Sequence, residues 1–163
     1  MQKKLETAAN LATLAVAGLL GYVLLDRYVL HKTPTAPVSI ASGDKLALPD
    51  TDWARNGRTL VLVLQKGCHF CSESAPFYKK LVEQTEQPGK PHLIAVLPQN
   101  PKESADYLSS LGVPIGDVRQ ARLTDVRVHG TPTLLLVGSN GVVNRVWIGK
   151  LKPEKESEVL QSL

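Results

Sequence analysis

The chain has 163 residues, 43% of them hydrophobic and 21% charged, with a formal net charge of +4. That length suits one compact domain plus an appendage. Its basic residues stand singly or in pairs such as Lys3-Lys4 and Lys79-Lys80, never in a run interleaved with aromatics, so no nucleic-acid surface is indicated.

Taken in chain order, the first element is an uncharged run from Thr7 to Leu25. At about 1.5 Å per residue it nearly spans a hydrocarbon core of roughly 30 Å. Lys3 and Lys4 precede it, Asp26, Arg27 and Lys32 follow, and Tyr22 and Tyr28 stand near one end, where aromatic belts sit. Three readings compete. A cleaved signal peptide needs a small-x-small site just past the run, and Ala15-Val16-Ala17 falls inside it. A buried core helix would carry a polar face, and this run shows almost none. An uncleaved single-span anchor over residues 1–30 fits best, tying the chain to the lipid bilayer. The amine, Lys3 and Lys4 tip the orientation toward an extracytoplasmic domain. Residues 31–42, with Pro34 and Pro37, read as a stiff spacer, and residues 43–163 as the folded domain.

Within that domain, Lys45-Leu46-Ala47-Leu48 lies between turn signals and reads as a short edge strand or hairpin arm. Asn56-Gly57 marks a turn before Thr59 to Leu64, a continuous β-favouring apolar run of the kind buried on both faces. Ser72 to Glu86 has helical spacing, with Ala75, Tyr78, Leu81 and Val82 on one side, and Pro88-Gly89 ends it. His92 to Leu97 is a second buried strand, and Pro101 to Leu111 a helix opened by Pro and stopped by Gly112. Residues 113–128 read as irregular. Thr133 to Val137 and Val142 to Ile148 flank Asn140-Gly141, a strong hairpin signal. Lys152 to Leu163 closes the chain as an amphipathic helix with Val159, Leu160 and Leu163 inward. This order predicts an α/β fold, a mixed central sheet with helices on both faces.

The two cysteines, Cys68 and Cys71, follow the first strand directly. A loop that short removes little unfolded-state entropy, so the pair is no structural staple, and its spacing points to redox or metal chemistry. At a strand-to-helix turn, unpaired N–H groups favour the Cys68 thiolate, the species that attacks disulfides. A protonated His69 would add a positive charge beside it. Cys71, one turn inside the helix, is placed to attack the Cys68 sulfur and resolve a mixed disulfide. Phe70 offers an apolar surface to a protein substrate. Zinc held by Cys68, Cys71, His69 and His129 is the rival reading, but that set has no recognised ligand spacing.

The run from Thr59 to Leu81, with Gly67-Cys68-His69-Phe70-Cys71 and Pro76 five residues on, resembles the active-site strand and kinked helix of the thioredoxin-like superfamily. Val128-His129-Gly130-Thr131-Pro132-Thr133 resembles its cis-proline loop, and Gly141 to Leu151, with Trp147 and Gly149, its last hairpin. The anchor, spacer and lead-in from Gly43 to Asp50 resemble the TlpA/ResA-type branch of membrane-anchored thiol-disulfide oxidoreductases. The resemblance implies a thioredoxin-like fold and a cis Pro132, with the Thr131 backbone pairing with an extended substrate segment. It also implies protein thiol and disulfide substrates, a membrane electron donor, a reductase direction, and no cofactor beyond the Cys68-Cys71 disulfide. Pro76 would kink the helix, or open a second helical segment. Leu62 stands where the family carries a buried acid, Gln65-Lys66-Gly67 replaces the usual Trp before the motif, and Ser74, beside Glu73, stands where the branch carries a Glu. A thiol peroxidase of the AhpC/TSA type and a non-catalytic binding or chaperone module are the alternatives; the first lacks its Pro-Thr approach to the cysteine, the second often lacks a cysteine.

Overall fold

The computed structural model describes residues 2–26 and 39–163. The chain divides into two units, Met1–Val38 and Ser39–Leu163. In the first, α1 (Gln2–Leu25) is a single 24-residue helix. From Leu11 to Leu25 its large apolar side chains, among them Leu11, Leu14, Leu19, Leu20 and Leu24, are all exposed. That stretch is about 22 Å long at the α-helical rise. Among the described residues no helix is long and apolar enough to cross a membrane. Most of the expected spacer, including Pro34 and Pro37, lies outside the described residues.

The second unit holds the sheet. Its elements are α2 (Trp53–Asn56), β1 (Thr59–Val63), α3 (His69–Glu73), α4 (Ala75–Thr85), β2 (His92–Leu97), α5 (Pro101–Ser110), β3 (Asp117–Gln120), β4 (Thr133–Val137), β5 (Val143–Ile148) and α6 (Pro153–Ser162). The five strands run in the order β3-β2-β1-β4-β5. β1 pairs parallel with β2, as does β2 with β3, while β4 is antiparallel to both β1 and β5. The sheet is therefore mixed, and β1, the strand that leads to the cysteines, is central.

Strand side chains alternate between faces, and the core divides accordingly. Leu60, Leu62 and Leu64 join Ala95, Leu97, Leu134 and Leu136 under Phe77, Tyr78, Leu81, Tyr107, Leu108 and Val159. Thus α4, α5 and α6 all cover the same face. Val61, Val63, Ile94, Val96, Leu135 and Val137 face the other way, onto Ile40, Leu46, Leu48, Val126 and Val128. Helices on both faces were expected. The strand order explains the difference: β1, β2 and β3 step in one direction, so successive right-handed crossovers place α4 and α5 on one side. The opposite face is closed by extended chain, the loop before β4, and the single turn of α2 through Trp53.

Three local readings change as well. β3 forms in the stretch expected to be irregular; with the sequence Asp-Val-Arg-Gln it has no apolar period and is held as an edge by its ladder to β2. Lys45 makes a single bridge to Val142 rather than a strand. The helix expected from Ser72 is two helices that meet at Ser74, with Pro76 in the first turn of α4, so Pro76 opens a second segment. At the Asn140-Gly141 turn, Gly141 has φ 75°, and a Cβ there would lie 2.9 Å from the Trp53 ring. The hairpin turn thus packs closely on α2.

The folded unit begins before residue 43. Ile40 is buried, and its N–H donates to the Arg127 carbonyl at 2.9 Å. A chain starting at Gly43 is expected to be about 1.5–3 kcal/mol less stable than one starting at Ser39, the transfer value of one large aliphatic side chain. Urea unfolding of the two chains measures the difference; equal midpoints would mean that Ile40 closes nothing.

Candidate active site

The site is positioned by the pairing of β1 with β4. Val63, the last residue of β1, lies opposite Thr133, the first of β4. Because the strands are antiparallel, the chain leaving β1 and the chain entering β4 meet at one edge of the sheet. The cysteine turn is on the first and Thr131-Pro132 on the second.

The turn after β1 is built by Gly67, whose φ of 82° would strain a side chain, and by the Cys68 N–H donating to the Gln65 carbonyl at 3.2 Å. Lys66 N–H donates to Gln99 Oε1 at 3.3 Å, tying the turn to the segment after β2. Cys68 caps α3 from an extended conformation, φ −75° and ψ 115°, and its sulfur accepts the Cys71 N–H at 3.2 Å. Cys68 and Cys71 form a disulfide with their Cα atoms 5.2 Å apart, within the range a disulfide bridges. The two sulfurs differ in access. Cys68 is half-buried, whereas Cys71 has no exposed surface.

The Thr131–Pro132 peptide is cis. The Thr131 carbonyl oxygen lies 3.3 Å from Cys68 Sγ. Pro132 is buried, and its carbonyl accepts the Gly149 N–H at 2.7 Å, while Thr133 Oγ1 donates to the Gly130 carbonyl at 2.8 Å. The loop is therefore fixed by bonds on both sides of the cis bond. Thr131 itself stays partly exposed beside the sulfur.

Around the rim, His69 is exposed and its Nε2 lies 3.2 Å from Glu73 Oε1. The other oxygen of Glu73 meets Lys150 Nζ at 3.0 Å. The Lys150 ammonium, with His69 beside it, holds the Glu73 carboxyl below its ordinary range. This contact is present above the usual carboxylate pKa of about 4.3 and is lost as pH falls through the lowered value. It bridges α3 to the loop after β5. His129 is exposed on the loop before Thr131, and among the described residues no three His, Cys, Asp or Glu side chains are grouped to hold a metal ion.

The structure thus brings Cys68, Cys71, His69, Phe70, Thr131 and Pro132 to one sheet edge. Sequence reasoning missed two neighbours. Ile148 ends the edge strand β5 opposite Thr133, with Cγ2 near the space above Gly130. Within Ser39–Leu163, Ile148 (61%) and Phe70 (54%) are the exposed large hydrophobics among the described residues. The signal for Ile148 was its place beside Trp147, on the opposite side of an alternating strand. Lys150 had no such signal, because its partner Glu73 is 77 positions away.

No protein-family model matches the chain, and no curated protein matches it. Solved structures do. The thioredoxin domain of a thiol-disulfide oxidoreductase from Bacteroides vulgatus superposes with a TM-score of 0.58 at 14% identity, covering 76% of this chain and 98% of that one. A thiol-disulfide isomerase from Corynebacterium glutamicum gives 0.53 at 15% identity, covering 81% and 97%. StoA from Bacillus subtilis gives 0.53 at 13% identity, covering 78% and 98%. The fold of this chain is thioredoxin-like.

The unequal burial of the two sulfurs sets an order of reaction. After reduction, a thiol reagent at mildly acidic pH is expected to label Cys68 well before Cys71, read by peptide mass mapping. Labelling of Cys71 first would reverse their roles.

Proposed function

We propose that this protein is a thiol-disulfide oxidoreductase that exchanges disulfides with protein substrates. The observation that carries this reading is a joined cysteine pair with one accessible and one buried sulfur, set against a cis-proline loop. The Cys68 thiolate attacks a substrate disulfide, a Cys68–substrate S–S bond forms, and one substrate sulfur leaves as a thiolate. Cys71 gives up its proton and attacks Cys68; the mixed disulfide breaks and the second substrate sulfur leaves. The substrate's disulfide is reduced and the Cys68-Cys71 pair oxidised. The Cys71 N–H already directed at Cys68 Sγ is a donor in place for the thiolate.

Thr131, partly exposed beside the sulfur, supports docking of an extended segment along its backbone. The exposed side chains of Phe70, in the cysteine turn, and Ile148, beside Gly130, favour a segment with apolar side chains near its cysteine. The TlpA/ResA resemblance supports a reductase direction, with electrons returned to the pair by a membrane donor. The uncharged run from Thr7 to Leu25 within α1, with its large apolar side chains exposed from Leu11 to Leu25, supports attachment to the bilayer as a single-pass anchor, with the catalytic domain extracytoplasmic.

A Cys71→Ser variant, reduced and then offered oxidised proteins, is expected to accumulate mixed disulfides through Cys68, and the trapped segments should carry an apolar residue near the bridged cysteine. Mass spectrometry of the adducts reads both. No adduct from oxidised partners would count against the reductase direction. For the anchor, the full chain is expected to stay with membranes through carbonate extraction while a chain starting at Ser39 is released; extraction of both would leave the anchor without support.

A further inference from the structure

Once the disulfide opens, Cys71 must carry a proton or a charge inside the core. It has no exposed surface, and β1 with the residue after it presents only Leu60, Leu62 and Leu64 to that core. A polar group to serve it must come from elsewhere.

The helix that carries Cys71 supplies two. Residues 71, 74 and 78 step by three and four, the spacing that aligns side chains on one helical face. The face runs through the junction of α3 and α4, because Ser74 N–H still donates to the Phe70 carbonyl and Tyr78 N–H to the Ser74 carbonyl, both at 3.1 Å. Ser74 and Tyr78 are buried, at 6% and 1% exposure. Long helical side chains lean back toward the N-terminus, which carries the Tyr78 hydroxyl from α4 toward Ser74. Ser74 and Pro132, with Tyr78, line one small cavity of about 10 Å³ under the cis-proline loop.

Neither hydroxyl is committed elsewhere in a way that closes the site. Ser74 Oγ donates to the Phe70 carbonyl at 2.8 Å, a local bond that a side-chain rotation exchanges for another acceptor. Among the described residues, Tyr78 Oη is buried and has no partner at full hydrogen-bond geometry. Burial raises its pKa and keeps it protonated, while the neighbouring Ser74 hydroxyl acts in the opposite sense as a weak hydrogen-bond partner and Tyr107 of α5 adds to the rise. A buried hydroxyl without a partner is costly. In the disulfide state Ser74, whose own hydroxyl is given to the Phe70 carbonyl, relieves that cost only in part. In the reduced state the Cys71 sulfur becomes an acceptor.

We propose that Tyr78 is a positioning residue for Cys71, its hydroxyl acting through Ser74 to supply the buried donor that steadies the Cys71 thiolate. This rests on the thiol-disulfide reading above. In the resolving step the Cys71 proton leaves with the departing substrate thiolate. Tyr78 keeps its own proton throughout and lends only a hydrogen bond. The interaction exists in the reduced state alone, so it biases the pair toward reduction and speeds resolution.

Tyr78→Phe removes the oxygen and keeps the ring. Equilibrated with glutathione buffers, it is expected to favour the disulfide over the thiols by about three- to tenfold relative to the unaltered chain, the value of one net hydrogen bond. The pH at which Cys71 becomes half-reactive toward alkylation in the reduced protein should rise. Ser74→Ala should shift both in the same direction, and the double variant should add little further. Tyr107→Phe, which removes the other orphan hydroxyl, provides the comparison. If Tyr78→Phe leaves both readings in place, or Tyr107→Phe moves them equally, the proposal is overturned. Failure of the unaltered chain to exchange with glutathione at all would instead overturn the thiol-disulfide reading, and this inference with it.

Discussion

The antiparallel ladder between β1 and β4 is the constraint on which the rest depends. Its register puts Val63 opposite Thr133, and a slip of one residue would turn each side chain to the wrong face. Both strands are buried along their whole length, so such a slip would move leucines and valines between two filled cores. The register is therefore set by packing far from the sulfurs. Its product is local: the carbonyl of Thr131 is brought against Cys68 Sγ. Chemistry at the sheet edge is held in place by aliphatic side chains that take no part in it.

The second organising feature is the unequal cover of the sheet. One face carries α4, α5 and α6, the other mostly extended chain and loop. Helix packing stiffens the face under Cys71, where a buried sulfur must be held still. The other face depends on long-range backbone bonds, such as Gly43 N–H to the Val143 carbonyl at 2.8 Å and Leu46 N–H to the Gly141 carbonyl at 2.9 Å. Those bonds make residues 39–48 part of the domain rather than a lead-in to it.

Much of this was legible in the sequence, and the pattern of what was not is physical. β1, β2, β4 and the helices at Pro101 and Pro153 announce themselves through apolar period, Pro starts and Gly stops. The cysteine turn and the loop at Thr131-Pro132 were visible as motifs. β3 was hidden because an edge strand of Asp, Val, Arg and Gln gains its ladder from β2 rather than from its own composition. The start of the domain was placed late because Ile40 stands alone among polar and small neighbours, and only its pocket against the loop before β4 gives it meaning. Tyr78 reads from the sequence as an ordinary member of a helical face and Ser74 as a departure from the branch's Glu; what the structure adds is that both are buried. Contacts made across 77 positions, as between Glu73 and Lys150, leave no trace in local pattern.

The chain has two tryptophans, and they report from opposite sides of the sheet. Trp147 is buried, with its indole N–H donating to Glu158 Oε1 at 3.1 Å, and it lines the same small cavity as Pro132 and Tyr78. Trp53 packs against the other core and under the Asn140-Gly141 hairpin. Light emitted by the protein is thus the sum of two spatially separated probes, one lying beneath the redox centre and the other beneath the N-terminal cover. Replacing either ring by Phe would leave a single-colour reporter of one side alone.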